Sequence, residues 1–150
     1  MNAVKRVGVL GAGVMGSGIA QVTATAGYET VCYDVDPGAL EKGREHVTTG
    51  RYGLERGVER GKVTREQADA ALGRLTFTSS FEDAAAVDLV VEAVPERLEL
   101  KVRVFRDLDR AAPAETIRRR TRRGSRSRAW RRRPIAPIAW SAGTGRHRRR

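Results

Sequence analysis

One cysteine, Cys32, occurs in the 150 residues, so no internal disulfide can form. It falls in an apolar stretch, where a buried, inert thiol is the expected reading. With that single cysteine and only two histidines, His46 and His147, no metal site is expected. No apolar run approaches the roughly 18 residues that cross a bilayer. The N-terminus leads straight into a strand pattern, without the charged and apolar regions of a signal peptide. These absences point to a reducing cytoplasm and to no membrane partner. A further absence is local. Residues 118–150 contain no lysine and no acidic residue, yet 14 arginines. Residues 1–117 hold all 18 acidic residues against 15 basic ones, a net charge of −3. The overall +11 therefore describes neither part.

The most informative stretch is Val7-Gly8-Val9-Leu10-Gly11-Ala12-Gly13-Val14-Met15-Gly16. An apolar strand runs into Gly-x-Gly-x-x-Gly, and a helical pattern follows, which is the setting the dinucleotide fingerprint requires. Gly11 permits a tight turn, Gly13 lets backbone approach a pyrophosphate, and Gly16 allows close packing of the helix. The helix N-terminus offers N–H groups and a positive dipole end to phosphate. A second strand pattern, Thr30–Tyr33, ends at Asp34, 18 residues after Gly16. An acid near that spacing binds the adenosine ribose hydroxyls. Val35 and Asp36 follow, with no arginine beside them, so a 2′-phosphate would meet two carboxylates. NAD is the expected cofactor, in preference to NADP.

The rest of the pattern alternates strand and helix. Val4–Leu10 reads as the first strand, and Val14–Ala26 as a helix closed by Gly27. Asp36 and Pro37 open another helix as N-cap and first residue. Residues 39–73 read as a charged, largely helical insertion, broken near Gly50–Gly53 and Gly57–Gly61. Thr64 and Gln67 form a capping-box pattern within it. Leu75–Thr78 and Val87–Val94 read as strands, and Glu96–Arg110 as an amphipathic helix with Leu98, Val102, Phe105 and Leu108 on its apolar side. Glu115–Ile117 starts a fifth strand. The fold class is α/β, a Rossmann-type doubly wound parallel sheet short of its usual six strands. Glu92 lies in a central strand and reads as a structural, hydrogen-bonded carboxylate.

Asp88-Leu-Val-Val-Glu-Ala-Val-Pro-Glu96, followed by Lys101, Phe105 and Leu108-Asp109, resembles the 3-hydroxyacyl-CoA dehydrogenases, the 3-hydroxybutyryl-CoA subgroup above all. The insertion at 39–73 is similar to that family's helical arm. The 3-hydroxyisobutyrate and 6-phosphogluconate dehydrogenases share the glycine-rich start but lack such an insertion. The resemblance implies NAD contacts at Gly11, Ala12, Gly13, Val14, Met15 and Gly16, at Asp34, and at Glu96 and Lys101. For Lys101 the alternative is an exposed helix lysine paired with Glu96 or a neighbour. The resemblance also implies an acyl-CoA substrate and a homodimeric parent, the dimer being formed by a helical C-terminal domain. The family's catalytic His, with its Glu, Ser and Asn, has no counterpart here. His46 lies in the insertion and His147 in the arginine-rich segment, so no catalytic residue is assigned.

The expected organisation is a partial NAD-binding domain over 1–117 and an arginine-rich tail over 118–150. One reading makes the tail a nucleic-acid arm, with Trp130 and Trp140 stacking on bases. The other makes it the product of a shifted reading frame. Codons chosen within their degeneracy for Arg118–Ser127 regroup, one base earlier, to Ala-Thr-Asn-Thr-Ser-Gly-Leu-Ser-Val. That matches the family's Ala-x-Asn-Thr-Ser segment where it belongs. Whatever its origin, the tail is expected to be disordered; on the second reading it binds nucleic acid only non-specifically and leaves an inactive fragment with an apolar sheet edge uncovered.

Overall fold

The computed structural model describes residues 3–120. Strand β1 (Arg6–Leu10) leads through the glycine-rich turn into helix α1 (Val14–Thr25), and strand β2 (Glu29–Tyr33) follows. Three helices come next, α2 (Pro37–Thr48), α3 (Leu54–Glu59) and α4 (Arg65–Arg74), then strand β3 (Leu75–Thr78). Helix α5 (Phe81–Ala85), strand β4 (Leu89–Glu92), helix α6 (Leu98–Ala111) and strand β5 (Ile117–Arg120) complete the described fold. All strands are parallel, in the order β3-β2-β1-β4-β5. The order reverses beside β1, the switch point at which open α/β sheets bind ligands.

Alternation along β1 divides the core. Val7 and Val9 pack with Ala12, Ala20 and Cys32 on one side. Leu10 packs with Ala84, Ala85, Val90, Val104 and Leu108 on the other. Each large aliphatic side chain so buried contributes roughly 1.5–3 kcal/mol. Helices α1 to α4 share a smaller core of Ala24, Val47, Leu54, Ala68 and Ala71. The sequence signals for these helices hold locally. Asp36 caps α2, and Thr64 and Gln67 form the capping box of α4. Gly27, with φ at +102°, follows the C-cap of α1.

Two expectations need correction. Helix α5 gives no periodic signal, because it is only five residues long, although Ser80 caps it. Leu98 and Val102 are not on the buried side of α6. They are 50% and 41% exposed, and the buried stripe is Lys101, Val104 and Leu108. The fifth strand starts at Ile117, within the stretch where the sequence pattern opens one. Arg118, Arg119 and Arg120 continue β5, opposite Val90, Val91 and Glu92. Backbone pairing does not require apolar side chains, and Arg118 pairs with Asp109 at the end of α6. Residues 117–120, Ile-Arg-Arg-Arg, form the last strand of the sheet among the described residues. The rest of the tail, with Trp130, Trp140 and His147, lies outside the described residues.

Candidate active site: a dinucleotide cradle

The glycine-rich turn sits where β1 and β2 end. Gly11 takes a φ of +107°, open to glycine at low cost. Its N–H donates to the Tyr33 carbonyl at 2.7 Å, which fixes the turn against β2. A Cβ on Gly16 would lie 1.7 Å from the Gly11 carbonyl oxygen, so only glycine lets α1 begin this close to the turn. Around Gly13 the space is open, with no atom within 4 Å of a Cβ built there. Val14 and Met15 are 77% and 52% exposed, while Ala12 is buried.

Helix α1 has no side-chain cap at its N-terminus. Asp36, Thr64 and Ser80 cap α2, α4 and α5. Leaving α1 uncapped keeps its first turn available to an anion. Ser17 is buried and donates its hydroxyl back to the Gly13 carbonyl at 2.8 Å, so it braces the turn rather than facing outward.

Asp34 stands at the end of β2. One carboxylate oxygen accepts the Ala12 N–H at 2.9 Å and the other the Asp36 N–H at 3.0 Å. Each oxygen keeps a lone pair for a ribose hydroxyl. Beneath the turn, the Cys32 thiol lies 3.8 Å from the Gly11 carbonyl oxygen. Burial pushes that thiol up to about 12, with the Asp34 charge adding to the effect. It is a core thiol and no nucleophile, as its sequence context suggested.

Glu96 and Lys101 come together on the other side of the switch point. The Lys101 ammonium donates to Glu96 at 2.7 Å and lies 3.3 Å from Glu92. Lys101 is 4% exposed, so the reading of an exposed helix lysine is wrong although its pairing with Glu96 is right. Glu92 is buried and accepts the Val94 N–H at 2.9 Å, in keeping with a hydrogen-bonded structural carboxylate. Its contact with Lys101 went unforeseen. The only sequence signal is an acid closing the apolar run Leu89-Val90-Val91 nine residues before a lysine. His46 sits in the last turn of α2. Among the described residues no group of His, Cys, Asp and Glu could hold a metal ion.

The family profile of the 3-hydroxyacyl-CoA dehydrogenase NAD binding domain matches residues 6–119. The chain belongs to that family. NAD is accordingly the cofactor of this domain. A 3-hydroxybutyryl-CoA dehydrogenase of Mycobacterium tuberculosis is 45% identical over 109 residues, 73% of this chain and 37% of the relative. A probable 3-hydroxybutyryl-CoA dehydrogenase of Bacillus subtilis is 39% identical over 114 residues, 76% of this chain and 39% of the relative. The crystal structure of (S)-3-hydroxybutyryl-CoA dehydrogenase from Ralstonia eutropha superposes with a TM-score of 0.73 at 33% identity, over 79% of this chain and 41% of that one. The chain therefore spans about two fifths of the length of these three relatives.

The cradle of this 3-hydroxyacyl-CoA dehydrogenase domain fits NAD on its own geometry: a positive-φ turn, an uncapped helix, open space at Gly13 and a carboxylate at Asp34. The open space permits a clean test. Gly13 has φ −64° and ψ −173°, which alanine adopts freely. Gly13→Ala is expected to leave the melting temperature unchanged. If the turn takes a pyrophosphate, the methyl group intrudes on it, and lost charge-assisted bonds weaken NAD roughly 10- to 100-fold. Thermal melting and NAD titration check both parts.

Proposed function

We propose that this chain is the cofactor-binding part of an NAD-dependent 3-hydroxyacyl-CoA dehydrogenase. Gly11 to Gly16 hold the pyrophosphate, with the Gly13 backbone and the first turn of α1 facing it. Asp34 takes the adenosine ribose. Glu96 and Lys101, across the switch point, face the nicotinamide half. The observation that carries this reading is the Asp34–Ala12 contact. It sets a carboxylate with spare lone pairs directly beside the uncapped turn.

Bound NAD supplies the hydride acceptor for oxidation at carbon 3 of a 3-hydroxyacyl-CoA, or the donor for the reverse. The residues of this chain bind and orient. None supplies the general base that withdraws the hydroxyl proton, since His46 lies in the helical insertion and His147 in the arginine-rich segment. The 150-residue chain is therefore inactive by itself, and acyl-CoA binding and dimerisation belong to a parent protein. The regrouped codons at 118–127 support a shifted frame as the origin of the arginine-rich segment. The single reduced thiol fits a cytoplasmic parent. Fourteen arginines give the tail only salt-sensitive, sequence-blind affinity for nucleic acid.

Titration of the purified chain is expected to show NAD binding in preference to NADP, and no oxidation of NADH with acetoacetyl-CoA. Equal affinity for the two dinucleotides overturns the role of Asp34. Measurable turnover overturns the inactivity.

A further inference from the structure

Lys101 is an expensive residue where it stands. It lies on the buried stripe of α6, three residues before Val104 and seven before Leu108. Its ammonium sits near the N-terminal end of that helix, where the dipole opposes a cation. A buried ion pair seldom adds more stability than a well-packed apolar residue of similar size. The fold alone gives no reason for a lysine here.

The two carboxylates that hold it differ in kind. The Glu96 side chain is 46% exposed and belongs to the loop entering α6. It is free to turn toward a ligand. The Glu92 side chain is 1% exposed, closes β4, and is tied by the Val94 N–H. Its backbone lies in register with Leu10 of β1 and Arg120 of β5. Glu92 is thus immobile, and it sits one strand away from the glycine-rich turn. Ala93, next in sequence, abuts Gly11 so closely that a Cβ there would lie 2.7 Å from the Ala93 carbonyl oxygen.

We propose that Glu92 is a positioning residue for NAD, acting through Lys101. It anchors the ammonium from below, so that Lys101 stays aimed at the switch point when Glu96 exchanges its lysine contact for a ligand hydroxyl. Glu92 itself touches no part of the cofactor. The proposal rests on the reading that Lys101 faces the nicotinamide half of NAD.

The test separates the two ideas. NAD and ADP, which ends at the pyrophosphate, are titrated against the whole 150-residue chain and its Lys101→Met, Glu92→Gln and doubly substituted variants. Under the underlying reading, Lys101→Met weakens NAD and leaves ADP unchanged. If both ligands weaken alike, that reading fails. Under the present proposal, Glu92→Gln, which removes the charge 3.3 Å from the ammonium, weakens NAD about tenfold, while ADP holds within about twofold. Glu92→Gln then adds nothing in the Lys101→Met background. If Lys101→Met selectively weakens NAD but Glu92→Gln does not, Glu92 is only structural and the proposal is wrong. Should Glu92→Gln unfold the chain, Glu92→Asp, which keeps the charge but shortens its reach, decides. An NAD-specific loss that disappears in the Lys101→Met background supports the proposal, and an unchanged NAD affinity overturns it.

Discussion

Replacing Gly16 by alanine is expected to unseat the start of α1 and abolish NAD binding. The added Cβ would lie 1.7 Å from the Gly11 carbonyl oxygen and 2.8 Å from its carbon. Neither atom can yield, because the Gly11 N–H is bound to Tyr33 across the sheet. The helix must retreat by more than about 1 Å, and its first-turn N–H groups retreat with it. Overpacking of this kind costs about 3 kcal/mol at the upper end of its usual range. For a domain of this size that lowers the melting temperature by about 10 °C or more. The same methyl group at Gly13 meets nothing. Gly13→Ala is therefore the matched control, weak in binding but full in stability. A Gly16→Ala protein with normal melting and normal NAD affinity would sink the role given to this glycine.

Gly8→Ala is expected to be as damaging to the fold and harmless to the cradle. A Cβ there would stand 1.9 Å from the Ala84 carbonyl oxygen and 3.1 Å from the Val87 side chain. Strand β1 cannot slide away, since Gly8 is paired with Val31 on one side and Val90 on the other. Helix α5 has to lift, taking Ala84 and Ala85 out of the core they share with Leu10 and Leu108. A loss of about 3 kcal/mol or more follows from overpacking and the exposed apolar surface together. Gly8 faces the opposite side of the sheet from α1, so the molecules that remain folded keep their NAD affinity. Urea unfolding gives the stability, and titration at low temperature gives the affinity. An unchanged urea midpoint contradicts the close approach of α5.

These two glycines show what was legible in the sequence. Gly16 stands in a fingerprint whose spacing is set by the turn and helix it serves, so its role could be read locally. Gly8 lies inside a strand pattern and answers to a helix 76 residues away, a contact that no local period encodes. The same division holds elsewhere. The place of Asp34 beside the glycine-rich turn was legible because its distance from the glycines is fixed by one helix and one strand. The buried face of α6 was misjudged because Leu98 and Val102 fit helical spacing about as well as the true stripe. Lys101 won the interior position through carboxylates on β4 and the loop before α6. Periodicity weighs apolar residues and is blind to a charge that brings its own partners.

Cys32 gives all of these variants a common clock. Its thiol is fully buried between α1 and the sheet, and burial holds it at about 12. A thiol reagent at neutral pH therefore meets no thiolate until β2 leaves the core. The rate of modification counts those openings. A dinucleotide seated on Gly11, whose carbonyl roofs the sulfur, slows the count in proportion to its affinity. The lone cysteine thus reports, with one atom and no added label, both how firmly the sheet is closed and whether the cradle above it is filled.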